Sequence, residues 1–428
     1  MNGKSGKDPI VSGTGRLTAM DGSVRRTLLR LGAAYALAWA ATSMVAGPGS
    51  AAFVGLTGNL SHAGLFIALT YAGAAAGAAL GGRAMDRFGR KPPLVVAYFT
   101  HATGFTLAGI GVSSASLATF SAGTLLFAAA FGTINLTRIG AAEMFPPAER
   151  GRGMAWIQIS AIFGAITGPL LLVLSKPLGE MIGRAPLEFV WFLAPPLLVA
   201  AAFIVRGAEE PRVIAARVSS LRESPGAGQV VHGSTHDGRL ILIGGVTLAA
   251  SQAAMAAVMG VAGAAVTHAG HDVNVLGVLM FMHFIGMFGL SRVVGRLTDK
   301  MGRRATMMIG IALLACGGMV VALLQNAVGF GIGLLLVGFG WSFGFIGSSV
   351  LLTDVTEPAR RARTVGRVDL AAQLSSAAIA VGGGWWFAQY GVAGLGVLAI
   401  VVAAVPLALL LTFIREKSPG IYARARAA

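Results

Sequence analysis

The sequence predicts an all-α membrane protein: twelve transmembrane helices in two parallel six-helix repeats, with both termini in the cytoplasm. Three observations carry this reading. The 428 residues are 55% hydrophobic and only 12% charged, with a mean hydropathy of +0.75, whereas a soluble globular chain carries about 25% charged residues. The apolar residues fall into runs long enough to cross a hydrocarbon layer of about 30 Å, which takes about 20 residues of helix. Finally, a charged string between two runs, GGRAMDRFGRKPPL from Gly81, returns as GRLTDKMGRRATMM from Gly295.

Taken in order, the runs lie at 29–50, 62–81, 93–112, 116–140, 154–175 and 187–206, then at 240–266, 274–294, 305–324, 328–352, 366–388 and 392–414. Residues 1–28 form an N-terminal arm, 29–206 the first six-helix bundle, 207–239 a linker, 240–414 the second bundle and 415–428 a tail. The first run is too long for a signal-peptide core, starts well inside the chain and has no small-residue cleavage site before the next run. The linker holds no apolar run. It is polar, with Ser, Gly and Pro, and reads as a cytoplasmic tether with one short amphipathic helix around 212–222.

Charge sets the orientation, because cytoplasmic loops hold the excess of Lys and Arg. With the N-terminus inside, the cytoplasmic segments, counted together with Arg30, Arg206 and Arg367 at the inner ends of their runs, hold all 33 Lys and Arg residues except four. Lys176 and Arg184 fall outside, and Arg138 and Arg292 lie within spans near their inner ends. This scatter over short loops accounts for the net charge of +16 and argues against a nucleic-acid partner, which would need the charges gathered on one face.

The repeat is supported twice. Gly82 and Gly295 are 213 residues apart. Glu143, Pro147, Arg150 and Arg152 in AAEMFPPAERGRG match Asp354, Pro358, Arg361 and Arg363 in LTDVTEPARRART at a shift of 211. Two landmarks at the same place in each half mean a duplicated unit, and six spans return the chain to the same side, so the copies are parallel.

At these residues the chain resembles the major facilitator superfamily. Gly82, Asp86, Arg87, Gly89, Arg90 and Lys91 look like its signature between helices 2 and 3. Gly295, Asp299, Lys300, Gly302, Arg303 and Arg304 look like the copy between helices 8 and 9. The usual Leu is Ala84 in the first copy and Leu297 in the second. The resemblance covers about residues 25 to 415 and implies a secondary transporter of a small-molecule solute working by alternating access. It also implies that Asp86 and Arg87 latch the halves at the inner ends of helices 4 and 11, near Glu143 and Arg150, with Asp354 and Arg361 as second-half counterparts. The glycines would supply a tight turn, and the acid would face a helix N-terminus. Gly73, Gly77 and Gly81 on helix 2 and Gly382, Gly383 and Gly384 on helix 11 are expected where the two halves slide past each other.

The chain shows no phosphate loop, since Gly3-Lys4-Ser5 lacks the upstream glycine and the following domain. It shows no zinc motif, no dinucleotide fingerprint and no Ser-His-Asp arrangement, so an enzyme is not expected and no cofactor or metal is implied. His268, His271 and Asp272 are too few and too loosely placed to hold a metal. Energy then comes from an ion gradient or from downhill diffusion. Ionisable groups within spans are functional candidates; here they are Asp369 and His283, with Glu143 beside Arg138 as a further proton site. Asp369 has Arg367 as an alternative structural partner. Cavity candidates are Tyr35, Trp39, Asn135, Arg138, Gln252, His283, Trp341 and Gln373, on the helices that line the cavity in the fold. Gly164, Gly168 and Pro169 resemble the core of a signature of the family's exporters, although Ala155, Leu172 and Val173 stand where it has Gly. The sequence thus favours a proton-coupled exporter, monomeric, in the cytoplasmic (inner) membrane. The alternatives are a proton-coupled importer or a transport-dead sensor of the same fold.

Overall fold

The computed structural model describes residues 22–145, 150–220, 237–356 and 358–413. Gly3-Lys4-Ser5, Pro147 and the tail fall outside them, as do the side chains of Arg150 and Arg361. Every regular element among the described residues is helical.

In the first half, α1 runs Gly22–Met44 and resumes as Pro48–Thr57 after a 41° bend. Pro48 cannot donate a backbone hydrogen bond, which places the break before it. Helix α2 is Leu60–Phe88, opening with a 3-10 turn; α3 is Lys91–Ser113; α4 is Leu117–Glu143, interrupted at Asn135 and Leu136. Helix α5 is Arg150–Met181 and α6 is Pro186–Arg206. A linker helix follows at Pro211–Ser220. In the second half, α7 is Gly238–His268, α8 is Val273–Met301 with a π turn at Ile285–Gly289, α9 is Arg303–Leu323 and α10 is Ala327–Asp354. The helical stretch Pro358–Phe413 is two helices joined at Gly391, whose φ of 63° breaks the geometry. They are α11 (358–390) and α12 (392–413). Ser116, Asp237, Asp272 and Asn326 cap α4, α7, α8 and α10 by accepting from first-turn N–H groups, as short polar side chains do.

The two halves are built alike. Helix α3 packs on α4 and α6 as α9 packs on α10 and α12; α1 packs on α5 as α7 packs on α11. Exposed Phe163, Leu323 and Val328 belong to an apolar perimeter suited to lipid, which leaves no solvent for unpaired backbone and so favours helices.

Both charged strings turn out to be largely helical. Gly82 and Gly295 lie inside α2 and α8, and the turns are made by Gly89 and Gly302, at φ 88° and 87°. Of the glycines in the two strings, only these two have positive φ, which a residue without Cβ adopts freely. The end of the molecule holding these strings is called the charged end below.

The halves meet at the other end. Helix α7 approaches the α1 bend so closely that a Cβ on Gly263 would fall 1.8 Å from the Gly47 carbonyl oxygen. A Cβ on Gly64 would fall 1.6 Å from the Ala380 oxygen of α11, and one on Gly384 2.5 Å from the Ser61 oxygen. The Ser50 hydroxyl accepts from the Ala264 N–H at 3.1 Å, and Lys176 of α5 pairs with Asp272 of α8 at 2.9 Å. Gly73, Gly77 and Gly81 do not join this seam. They pack on α4, against Ala128, Ala129 and Thr133. Gly382 has no neighbour within 4 Å, and Gly383 meets Ala257 of α7 inside its own half.

Candidate transport site

At the charged end each half carries the same ion pair. Arg90 donates to Glu143 through Nε at 2.8 Å and Nη2 at 2.5 Å, and Arg303 Nε donates to Asp354 at 2.8 Å. Arg90 and Arg303 are 213 residues apart, Glu143 and Asp354 211. A two-pronged guanidinium–carboxylate contact fixes geometry as well as charge, and Glu143 raises the Arg90 pKa above its ordinary value. The pair ties the turn after α2 to the end of α4, and its copy ties the turn after α8 to the end of α10.

Asp86 pairs with Arg90 at 3.1 Å and reaches Arg212 of the linker helix at 3.5 Å. Arg87 lies over the neighbouring Phe88 ring. Among the described residues Asp86 and Arg87 make no ion pair with α11, and every ion pair described at the charged end stays within one half and its linker. Nor is Asp86 the acid at the α3 N-terminus. Glu210 takes that place, accepting from the Arg90 and Lys91 N–H groups at 2.7 and 2.9 Å. Lys91 Nζ donates to the Ala208 carbonyl at 3.0 Å, Arg217 pairs with Glu209 at 2.5 Å, and Arg30 donates to the Gly207 carbonyl. The first part of the linker is therefore fastened to the first half. No sequence pattern announces this contact, because Glu210 lies 120 residues from Arg90.

Deeper in the membrane, five of the cavity candidates, Tyr35, Trp39, Asn135, Gln252 and Trp341, form one arc of contacts crossing from half to half. The Tyr35 hydroxyl donates to Asn135 Oδ1 at 2.8 Å. The Tyr35 and Trp39 rings lie one turn apart, 6.5 Å between centroids. Trp39 meets Phe288 of α8 edge-on at 5.8 Å, Phe288 meets Trp341 at 5.7 Å, and the Trp341 indole donates to Gln252 Oε1 at 2.5 Å. Phe131 flanks Trp39 at 5.3 Å, and Phe345 stacks on Trp341 at 4.8 Å. Sequence reading missed these phenylalanines, which nothing distinguishes among 22 of their kind. Phe288 sits in the π turn, a local widening that recurs at functional positions.

Nearer the charged end, Arg138 of α4 and Asp369 of α11 face one another electrostatically across the two halves. Among the described residues neither has an ion-pair partner within 4 Å. Asp369 does not take Arg367, and Glu143 takes Arg90 rather than Arg138. Gln373, one turn along from Asp369, holds a buried Oε1 without a hydrogen-bond partner. His283 is buried in the second half, its Nδ1 2.9 Å from the Leu334 carbonyl of α10. The exporter-like residues dock α5 on α1: a Cβ on Gly164 would meet the Ala36 oxygen and one on Gly168 the Ser43 hydroxyl. Pro169 follows at the point where α5 nears Gly277 of α8.

The sequence pattern of the Major Facilitator Superfamily matches residues 31–235 and 240–427. The chain belongs to the major facilitator superfamily. Among relatives of this superfamily member, an uncharacterized MFS-type transporter of Bacillus subtilis, YdeG, is 28% identical over 76% of each chain. A riboflavin transporter of Brucella anthropi, RfnT, is 26% identical over 81% of this chain and 85% of its own. The D-xylose-proton symporter has the same fold, with a TM-score of 0.71 over 92% of this chain and 99% of the other at 18% identity. In a partially occluded inward-open structure of the xylose transporter XylE from E. coli the score is 0.70, over 93% and 99%, at 16% identity. This superfamily member is thus a multi-pass membrane transporter of small molecules, not an enzyme. Its two halves, joined by an aromatic arc and closed at the end opposite the charged strings, suit a solute path between them.

Proposed function

We infer that this protein is a secondary active transporter that moves a small organic solute across the cytoplasmic membrane by alternating access, coupled to protons and working as a monomeric exporter. The excess of Lys and Arg assigns the charged end to the cytoplasm. The conformation described, closed at the opposite end, is then the inward-facing one. In the outward-facing state the charged end closes, and Asp86 and Arg87 gain their contacts with α11. The observation that carries the coupling is the unpaired couple Arg138 and Asp369 on opposing halves. Rocking the halves changes their separation, and a nearby guanidinium favours the ionised carboxylate. Asp369 therefore takes up a proton in one state and releases it in the other. The Gly164-Gly168-Pro169 match supports export. Riboflavin is a solute to screen, since the Brucella relative carries its name.

The test is reconstitution in liposomes with and without a pH gradient. Asp369→Asn is expected to abolish gradient-driven accumulation while leaving solute exchange intact. Full accumulation by this variant would remove Asp369 from the mechanism and leave His283 as the candidate.

A further inference from the structure

We propose that the arc between the halves binds an uncharged, planar heterocycle rich in ring carbonyls and carrying an imide-type N–H. The inference rests on the reading that this chain transports a small organic solute. Its basis is the matched hydrogen bonding at the two ends of the arc. The Trp341 indole can only donate, so the Gln252 atom that receives it is the carbonyl oxygen, and the Gln252 amide N–H groups face elsewhere. At the other end the buried Trp39 N–H has no hydrogen-bond partner among the described residues, and the Tyr35 hydroxyl donates to Asn135 Oδ1. Asn135 is thereby turned so that its own N–H groups are presented.

Each half thus holds one carboxamide by its oxygen and offers the nitrogen. Gln252 follows Trp39 by 213 residues, the interval between Gly82 and Gly295, but the roles are exchanged. The aromatic residue is on α1 and the amide on α4 in the first half, while the amide is on α7 and the aromatic residue on α10 in the second. Both amides are half-buried, and no hydrogen-bond acceptor is described for either NH2 group. Among the buried oxygens of the described residues that lack a hydrogen-bond partner is the amide oxygen of Gln373, Oε1, on α11. Between the two amides run Tyr35, Trp39, Phe288 and Trp341, a series of ring surfaces suited to a flat solute. A ligand satisfying this set carries carbonyl oxygens for Asn135 and Gln252, an N–H for Gln373 and an extended π system. Arg138 would recommend an aromatic carboxylate, but Asp369 lies in its field and offsets its charge in the state where its carboxylate is ionised.

The probes are lumichrome, its N3-methyl derivative and quinaldate, each titrated against the full-length protein in nanodiscs by tryptophan fluorescence and calorimetry. Lumichrome is expected to bind, and N3-methylation to weaken it about tenfold by removing the N–H. Gln252→Glu and Asn135→Asp keep the oxygens that Trp341 and Tyr35 hold but lose the N–H donors. Each is expected to weaken lumichrome about tenfold, the scale of one hydrogen bond, while thermal stability identifies any variant that has lost its fold. A purely structural role for these amides predicts unchanged affinity in the acid variants. That result, or a preference for quinaldate over lumichrome, overturns the proposal. Counterflow in liposomes separates the two readings. Lumichrome binding with no exchange of any solute supports the ligand class and refutes transport; exchange of a sugar or cation with no lumichrome binding does the reverse.

Discussion

Gly263→Ala should open the seam at the end opposite the charged loops. The added methyl carbon would lie 1.8 Å from the Gly47 oxygen, 2.5 Å from its carbon and 2.8 Å from the Ser50 hydroxyl. A carbon–oxygen contact settles at about 3.3 Å, so α7 must retreat from the α1 bend by about 1.5 Å. The obstacle is backbone, which cannot rotate aside as a side chain can. Overfilling a packed interior costs about 1–3 kcal/mol, and the same retreat strains the Ser50–Ala264 hydrogen bond, worth about 1 kcal/mol. A penalty of about 2 kcal/mol against the closed seam is roughly thirtyfold in the equilibrium between the two states. Spin labels at Ser114→Cys and Leu324→Cys, in a Cys316→Ser background, would report it as a longer or second distance across this end. Gly382→Ala is the control, since nothing lies within 4 Å of Gly382. An unchanged distance distribution in folded Gly263→Ala protein would show that the seam does not hold the halves.

Three further outcomes are expected. Asp86→Asn should lower transport strongly without affecting membrane insertion, and so should Arg90→Ala, because Arg90 serves both Asp86 and Glu143; transport and surface abundance are measured together. Glu210→Ala should reduce thermal stability by about 1 kcal/mol, the scale of a lost helix cap, read as a lower unfolding temperature in detergent. The Lys176–Asp272 pair should respond to acid in one direction only. Lys176 holds the Asp272 pKa below its ordinary 3.8, so the pair supports the closed seam above that pH and lets go as pH falls through the lowered value. Spin-label distances should therefore be constant through this pair between about pH 5 and 8, while Asp272→Asn should lengthen them at neutral pH.

Helix number and pairing of the halves were legible because lipid demands long apolar runs, and the duplicated charged strings mark equal places in each. The ion pairs of Arg90 with Glu143 and Arg303 with Asp354 follow the same two intervals, so the intra-half contacts could be anticipated. What the sequence could not show was conformation. The latch proposed for Asp86 joins the halves in the other state, while in this one Asp86 pairs with Arg90 and Arg212. Helix extent was also underestimated at the charged end, since Arg83, Asp86 and Arg87 look like loop residues yet extend α2 beyond the apolar run. The Gly73-Gly77-Gly81 stripe fixes close approach to some helix, but spacing alone does not say which, and the answer is α4. Tyr35, Trp39, Gln252 and Trp341 were recognisable as polar points on apolar helices. Their partnering was not, because it depends on rotations of α4 and α10 that no local pattern encodes.

The fastening of Ala208, Glu210 and Arg212 to the turn after α2 shortens the leash between the moving bodies. Counted from the end of α6, the connection would span 207–237; counted from the end of the linker helix, only residues 221–236 remain. Sixteen residues reach at most about 55 Å when fully extended. The two halves can then separate only as far as the length of those sixteen residues permits, and the attachment point travels with α2 and α3. Shortening 221–236 residue by residue should at some length arrest the cycle in the state that brings Ser220 and Asp237 closest, which makes this leash a ruler for the stroke of the transporter.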